Sequence, residues 1–290
     1  MKQKVYLSIG SNIGDREINI LKSLVYLEKR EDVEITKVSS FYETEPVGYE
    51  EQDIFVNCAV EIRTTLKPFK LLEVLKNIET EIGREMLFRW GPRIIDLDIV
   101  FYGNINIKSQ ILQIPHKEYK NRNFVLTPIF ELGKTDNIIE YLKRGNGDIK
   151  VKKEKKIVAV SSCLLGINSK YNGENNYKKI FKLLENNFIL IPICPEQIGG
   201  LSTPRVPAER LNNKVFNSEG RDVTNEFIKG AEESLKALKI VGANCALLKS
   251  KSPSCGYSEI YDGKFNKKLI KGKGITAEYF EKNGIEIIEF

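Results

Sequence analysis

Apolar and polar positions follow short, well-separated periods along this chain. Lys4–Ile9 reads as a strand, and Asp15 is placed to cap a helix running to about Glu28 with Leu21, Leu24, Val25 and Leu27 turned inward. Val33–Tyr42 and Ile54–Ile62 read as strands around a polar loop holding Pro46, Gly48 and Asp53. Pro68 suits the first turn of a helix, since its missing N–H costs nothing there. Leu71, Leu72, Leu75, Ile78 and Ile82 keep helical spacing up to Gly83, and Ile94–Tyr102 is a further strand. The order β-α-β-β-α-β predicts a ferredoxin-like α+β sandwich.

The pattern then changes. Residues 143–156 hold two glycines, many charges and few apolar groups, and read as a basic linker. Beyond them come a strand at Ile157–Ser161, a helix near Tyr177–Asn186 and a strand at Phe188–Ile193. An amphipathic helix at Thr224–Lys239 and a strand at Cys245–Lys249 follow. A hairpin within Glu259–Leu269 turning at Asp262-Gly263, a helix near Thr276–Lys282 and a strand at Ile285–Ile288 close the chain. Alternating strands and helices predict a mostly parallel α/β domain. The expected domains are therefore 1–142 and 157–290, joined by 143–156.

Composition agrees with two domains: 290 residues, 41% apolar and 29% charged, can bury two cores. No apolar run is long enough to span a bilayer, and no signal-like apolar core follows Met1, so a cytoplasmic protein without membrane partners is expected. The net charge of +6 raises the question of nucleic acid. Residues 1–142 carry 19 Lys/Arg against 22 Asp/Glu, while residues 143–156 carry seven against two. Most of the excess thus sits in the tether, and small molecules are the expected partners. An odd cysteine count of five argues against a disulfide framework. His116 is the only imidazole, which excludes a multi-histidine metal site within one chain.

In the first half, Asp96 and Asp98 stand two apart on a strand, so both carboxylates leave the same face. Such a pair is costly without a cation, and oxygen-only donors suit Mg²⁺. Arg84, Arg89 and Arg93 lie just upstream, and guanidinium groups suit phosphate oxygens. That is the composition of a phosphoryl-transfer site, without a P-loop. A surface strand whose aspartates pair with the arginines has the same spacing. His116, Lys120, Arg122 and Phe124 form a second cluster suited to an anion or a flat ring.

Together these segments resemble 6-hydroxymethyl-7,8-dihydropterin pyrophosphokinase over about residues 4–133. The resemblance rests on Tyr6-Leu-Ser-Ile-Gly-Ser-Asn-Ile-Gly14, Ser39-Ser-Phe-Tyr-Glu-Thr-Glu-Pro-Val-Gly48, Asn57, Arg89-Trp-Gly-Pro-Arg-Ile-Ile-Asp-Leu-Asp98, and Pro115-His116 with Asn121-Arg122-Asn-Phe124. It implies that Asp96 and Asp98 hold two Mg²⁺ on ATP, and that Arg89, Arg93, His116 and Arg122 contact phosphates. It further implies diphosphate transfer to the pterin hydroxymethyl group in folate synthesis, releasing AMP. Thr44, Val47 and Asn57 would read the pterin edges between Phe55 and Phe124, and Glu79 and Arg84 would belong to the nucleotide site. Met86 stands where relatives often carry another arginine, and Lys117 where some carry tyrosine.

In the second half, Cys163, Cys194 and Cys255 each follow a strand, and the carboxyl ends of parallel strands open onto one crevice. Three thiolates without imidazole suit zinc or an iron–sulfur cluster. Cys245, inside a strand, reads as a buried small residue. The motifs Ser161-Ser-Cys-Leu-Leu-Gly166, Cys194-Pro-Glu-Gln-Ile-Gly-Gly-Leu201 and Ser252-Pro-Ser-Cys-Gly256, with Pro204-Arg205, resemble a family that includes thiouracil desulfidases. That resemblance implies a 4Fe–4S cluster on the three cysteines. Glu196 would move protons and Ser252 would activate a thiolated base or similar small molecule.

The resulting expectation is a pterin pyrophosphokinase fused to an iron–sulfur desulfidase-like domain. Two other readings remain: a non-catalytic zinc- or cluster-binding second domain that regulates the kinase, and a first domain that binds pterin without turnover.

Overall fold

Asp15 accepts the Ile18 N–H and so starts the helix Arg16–Glu28 (α1) directly after the strand Gln3–Ser11 (β1). Such a cap contributes about 1 kcal/mol. The computed structural model describes residues 2–46, 48–49, 51–85, 91–136, 138–142 and 148–290. The chain divides into two units, Met1–Lys155 and Lys156–Phe290.

In the first unit the chain continues through Val33–Val38 (β2), Tyr42–Thr44 (β3), Phe55–Thr64 (β4), Pro68–Ile82 (α2) and Asp96–Tyr102 (β5). A small ladder pairs Ile107–Lys108 (β6) with Gln113–Ile114 (β7), and Asn123–Glu131 (α3), Ile139–Leu142 (α4) and Ile149–Val151 (β8) follow. Gly83 closes α2 at φ 102°, a left-handed conformation that suits glycine. The sheet is antiparallel and runs β5-β1-β4-β3-β8, with β2 also on β4. Leu7, Ile9, Val60, Ile62, Leu97 and Ile99 alternate onto one face, and α1 and α2 supply Leu21, Leu24, Leu71, Leu75 and Ile78, all buried. Part of the opposite face packs on α3 through Tyr6, Ala59, Val100, Val125 and Ile129.

The single strand expected over Val33–Tyr42 is broken into β2 and β3. Ser39 is the cause: its hydroxyl accepts the Ala59 N–H at 2.9 Å, taking a ladder position from the backbone. Glu131 of α3 then holds the Ser40 N–H at 2.9 Å and the Tyr42 hydroxyl at 2.8 Å. The stretch 143–156, expected as a linker, contributes β8; its residues 143–147 lie outside the described set.

In the second unit Lys156–Ser161 (β9), Ile180–Leu184 (α5), Phe188–Ile193 (β10) and Pro195–Ile198 (α6) are followed by the hairpin Ala208–Leu211 (β11) and Lys214–Asn217 (β12). Thr224–Val241 (α7), Cys245–Leu248 (β13), Glu259–Tyr261 (β14), Leu269–Lys271 (β15), Ile275–Lys282 (α8) and Glu286–Glu289 (β16) complete it. β10, β9, β13 and β16 lie side by side, all parallel. Ala159, Ala246 and Leu248 of the sheet pack with Leu235 and Leu238 of α7 and Ala277 and Phe280 of α8.

The helix expected near Tyr177–Asn186 is shorter, because Asn176 and Lys178 donate back to the Cys163 and Leu164 carbonyls. The turn expected at Asp262-Gly263 is a longer connection. Asp262 accepts the Lys264 N–H, and Glu209 accepts the Phe265 N–H at 2.9 Å, which holds the loop open. Among the described residues no helix is long and apolar enough to cross a membrane.

Candidate functional sites

The pleat of β5 sends Asp96 and Asp98 to the face that carries no α1 or α2. Gly10 of β1 lies opposite Asp96 on one side and Asn57 of β4 on the other, and Ser8 lies opposite Asp98. A polar row therefore crosses three strands and ends at Thr44 of β3, whose Oγ1 accepts from Asn57 Nδ2 at 2.8 Å. Phe55 on β4, and His116, Arg122 and Phe124 from the segment leading into α3, line the same cleft. The His116 N–H donates to the Val100 carbonyl at 3.0 Å, which fixes that segment beside β5.

Electrostatics split the two aspartates. Asp96 accepts from Arg84 at 2.6 Å and also from Arg93. Burial pushes its carboxyl upward, but Arg93 and Arg84 together outweigh burial and hold it below the ordinary value. Burial raises Asp98, and the neighbouring Asp96 charge raises it further. His116 Nε2 stands 3.9 Å from Asp98, while Nδ1 accepts the Glu118 N–H at 3.3 Å. Burial lowers the imidazole despite Asp98, which favours the neutral ring with its N–H turned to that carboxylate. A carboxylate kept protonation-prone by its neighbour is a place where a divalent cation relieves repulsion. The donor set of two aspartates fits Mg²⁺.

Glu79 and Arg84 stand behind the aspartates and do not line the cleft. Glu79 is buried, accepts the Leu97 N–H at 2.7 Å and pairs with Lys76 at 2.7 Å and Arg84 at 2.5 Å. Their place is to hold β5 and Asp96. Arg93 does line the cleft. Val47, Met86 and Arg89 lie outside the described residues. Gly10 lies within the Tyr6–Gly14 motif but was given no role of its own from the sequence: an added Cβ there would fall 2.4 Å from Asn57 Oδ1.

The second site lies at the carboxyl edge of the parallel sheet. Cys163 sits in the turn after β9, Cys194 directly after β10, and Cys255 in the loop after β13. All three line one cavity of about 540 Å³. Burial raises the Cys255 thiol to about 12 and also raises Cys194. Thiols of this kind become ligands only when a cation replaces their protons. Three soft donors around one cavity fit an iron–sulfur cluster. Among the described residues no set of three or more His, Cys, Asp or Glu side chains is gathered tightly around a single ion position.

Glu196 and Ser252 line this cavity too. The Ser252 hydroxyl accepts the Ser254 and Cys255 N–H groups at 3.1 and 3.0 Å, which leaves its proton for Glu196 Oε1 at 3.5 Å. The other Glu196 oxygen is held by Arg205 at 2.7 Å. Arg205 also grips the Ser169 carbonyl through both terminal nitrogens at 3.1 Å, so its fork is fixed on two sides. Lys249, at the end of β13, reaches the cavity as well. Arg205 and Lys249 were not singled out as site residues in the sequence; position at a strand's carboxyl end was the available signal for Lys249. Cys245 is buried inside β13.

Comparison with known proteins divides the chain in the same way. Residues 6–134 match the 7,8-dihydro-6-hydroxymethylpterin-pyrophosphokinase family, and residues 158–289 match 2-thiouracil desulfurase. A 2-amino-4-hydroxy-6-hydroxymethyldihydropteridine pyrophosphokinase of Bacillus subtilis is 48% identical over 132 residues, covering 46% of this chain and 79% of that protein. The bifunctional protein FolKE of Lactococcus lactis subsp. cremoris is 48% identical over 134 residues, but the chain spans only 38% of its length. A solved [4Fe-4S]-dependent thiouracil desulfidase, TudS, is 39% identical over 47% of this chain and 91% of that one, with a TM-score of 0.44.

Proposed function

Because the chain belongs to the 7,8-dihydro-6-hydroxymethylpterin-pyrophosphokinase family through residues 6–134 and carries a 2-thiouracil desulfurase-like domain over residues 158–289, we propose that it joins those two activities. The first unit transfers diphosphate from ATP to 6-hydroxymethyl-7,8-dihydropterin in folate synthesis and releases AMP. The observation that carries this is the row Asp96–Gly10–Asn57, which sets a cation-seeking carboxylate pair beside a buried amide-and-hydroxyl pocket. The sheet order β5-β1-β4-β2 supports reading this unit as ferredoxin-like.

In this reading Thr44, Val47 and Asn57 bind the polar edges of the pterin, with Phe55 and Phe124 on its faces. Arg89, Arg93, Arg122 and His116 bind the ATP phosphates. Glu79 and Arg84 support the nucleotide site from behind. Asp96 and Asp98 would hold Mg²⁺, which would supply charge neutralisation during the transfer. The pterin hydroxymethyl oxygen, giving up its proton, would attack the β-phosphorus as the bond from that phosphorus to the α–β bridging oxygen breaks and AMP leaves, while Arg93 and Arg122 balance the phosphate charge.

In the second unit Cys163, Cys194 and Cys255 would hold a 4Fe–4S cluster, which supplies an iron open to sulfur. Ser252 would turn its hydroxyl proton from Glu196 to the substrate, and Glu196, kept in place by Arg205, would carry the proton. A thiolated base or similar small molecule is the proposed substrate. The reading takes small molecules as the only partners and the cytoplasm as the location; the tether's basic charge supports no nucleic-acid site.

AMP formation from ATP, Mg²⁺ and the hydroxymethyl-dihydropterin tests the first activity: Asp96→Ala should abolish it, and no AMP from the intact protein overturns it. Anaerobic loading with iron and sulfide tests the second. A broad visible absorbance lost in Cys163→Ala, with sulfide released from thiouracil, supports desulfidase action; zinc uptake without turnover overturns it.

A further inference from the structure

The strand β8 lies beyond residues 6–134, the span that matches the pyrophosphokinase family. It pairs antiparallel with β3, setting Val151 against Tyr42, Lys150 against Glu43 and Ile149 against Thr44. Without it β3 would be a three-residue edge strand held only by β4. Edge strands that short hold their register weakly. Thr44 is the last residue of β3, and its hydroxyl takes the Asn57 amide.

The pairing is locked by Lys152. Its N–H donates to the Phe41 carbonyl at 2.8 Å. Its ammonium lies 3.3 Å from Glu17 on α1 and 3.3 Å from Glu43 on β3, and only 13% of its side chain is exposed. One cation therefore ties three elements of the first unit, and both carboxylates favour its charged form although burial opposes it.

We propose that Lys152 and β8 form a positioning brace for the pterin pocket: residues read as linker serve the first activity by holding Thr44 in place. This rests on Thr44 being a pterin contact. Lys152 touches no substrate in this scheme and acts through β3.

The test uses the full-length protein. Lys152→Met keeps the stem and removes the charge; Lys150→Pro removes a ladder N–H that faces β3. Lys153→Met, at an exposed neighbour, is the control. Both brace variants should raise KM for the pterin about five- to tenfold, with kcat and KM for ATP within about twofold of the parent. Amide exchange at Tyr42–Thr44 should accelerate about tenfold, with β1 unchanged. Unchanged exchange overturns the brace whatever the enzyme activity. Faster exchange with an unchanged pterin KM overturns the positioning role. A parent protein that forms no AMP sinks the proposed activity instead, and the exchange measurement still judges the brace.

Discussion

Gly10 and Asn57 face each other across β1 and β4 so closely that a Cβ at position 10 would stand 2.4 Å from Asn57 Oδ1. The close approach lets the Asn57 amide turn to Thr44. Gly10→Ala should therefore displace Asn57 and cost about 1–3 kcal/mol of stability by overpacking. KM for the pterin should rise about tenfold or more. Steady-state kinetics with a urea melt check this; an unchanged KM would remove Asn57 from the pterin pocket.

Arg205 is expected to matter through Glu196. Its side chain is 8% exposed and that of Glu196 15%, so removing the guanidinium strands a largely buried carboxylate. Arg205→Ala should cost about 3–5 kcal/mol. Glu196→Gln keeps the shape and should leave the fold and the visible absorbance intact. It should cut sulfide release about a hundredfold or more if Glu196 carries the proton. Equal turnover in Glu196→Gln and the parent would exclude that role.

Gly230 of α7 makes room for α6. A Cβ there would fall 2.0 Å from the Pro195 carbonyl oxygen, and one at Gly199 would fall 2.0 Å from the Glu226 carbonyl oxygen. Because Cys194 directly precedes Pro195, Gly230→Ala should push that proposed cluster ligand off its position. Iron content after anaerobic loading should fall by about half or more, together with about 1–3 kcal/mol of stability. Full iron occupancy in this variant would show that α6 can shift without moving Cys194.

Acid should weaken the start of α7. Asp222 accepts the Thr224 hydroxyl at 2.5 Å and the Thr224 N–H at 3.0 Å, and pairs with Lys214 at 3.1 Å. Those contacts, the hydroxyl foremost, hold its carboxyl down to about 2. A folded value below the unfolded value of about 4 means the contribution is full above pH 4 and is lost as pH falls toward 2. Urea midpoints of the parent and Asp222→Asn should differ at pH 5 and converge near pH 2. A gap that stays constant across this range contradicts the assignment.

Much of the local structure was legible in the sequence. Asp15 as cap, Pro68 and Gly83 as the ends of α2, and the bounds of β10 all came from residues within a turn of one another. The spacing of Asp96 and Asp98 likewise required them to share a face. The break at Ser39 was not legible, because the bond that makes it runs to Ala59 on another strand. The hairpin of β11 and β12 was passed over, since its strands hold only four residues each and carry a weak period.

Sequence by itself determined the periods, the caps, and the clustering of chemistry into an aspartate–arginine half and a cysteine half. Tertiary structure decided which of those groups meet. It put Gly10 between Asp96 and Asn57, sent Glu79 behind the cleft, and turned part of a basic tether into a strand against β3. The reason is physical. Caps and periods depend on neighbours a few residues away, whereas meeting depends on strand register and on buried ion pairs between distant segments. Lys152 reads as one more tether charge until Glu17 and Glu43 close around it.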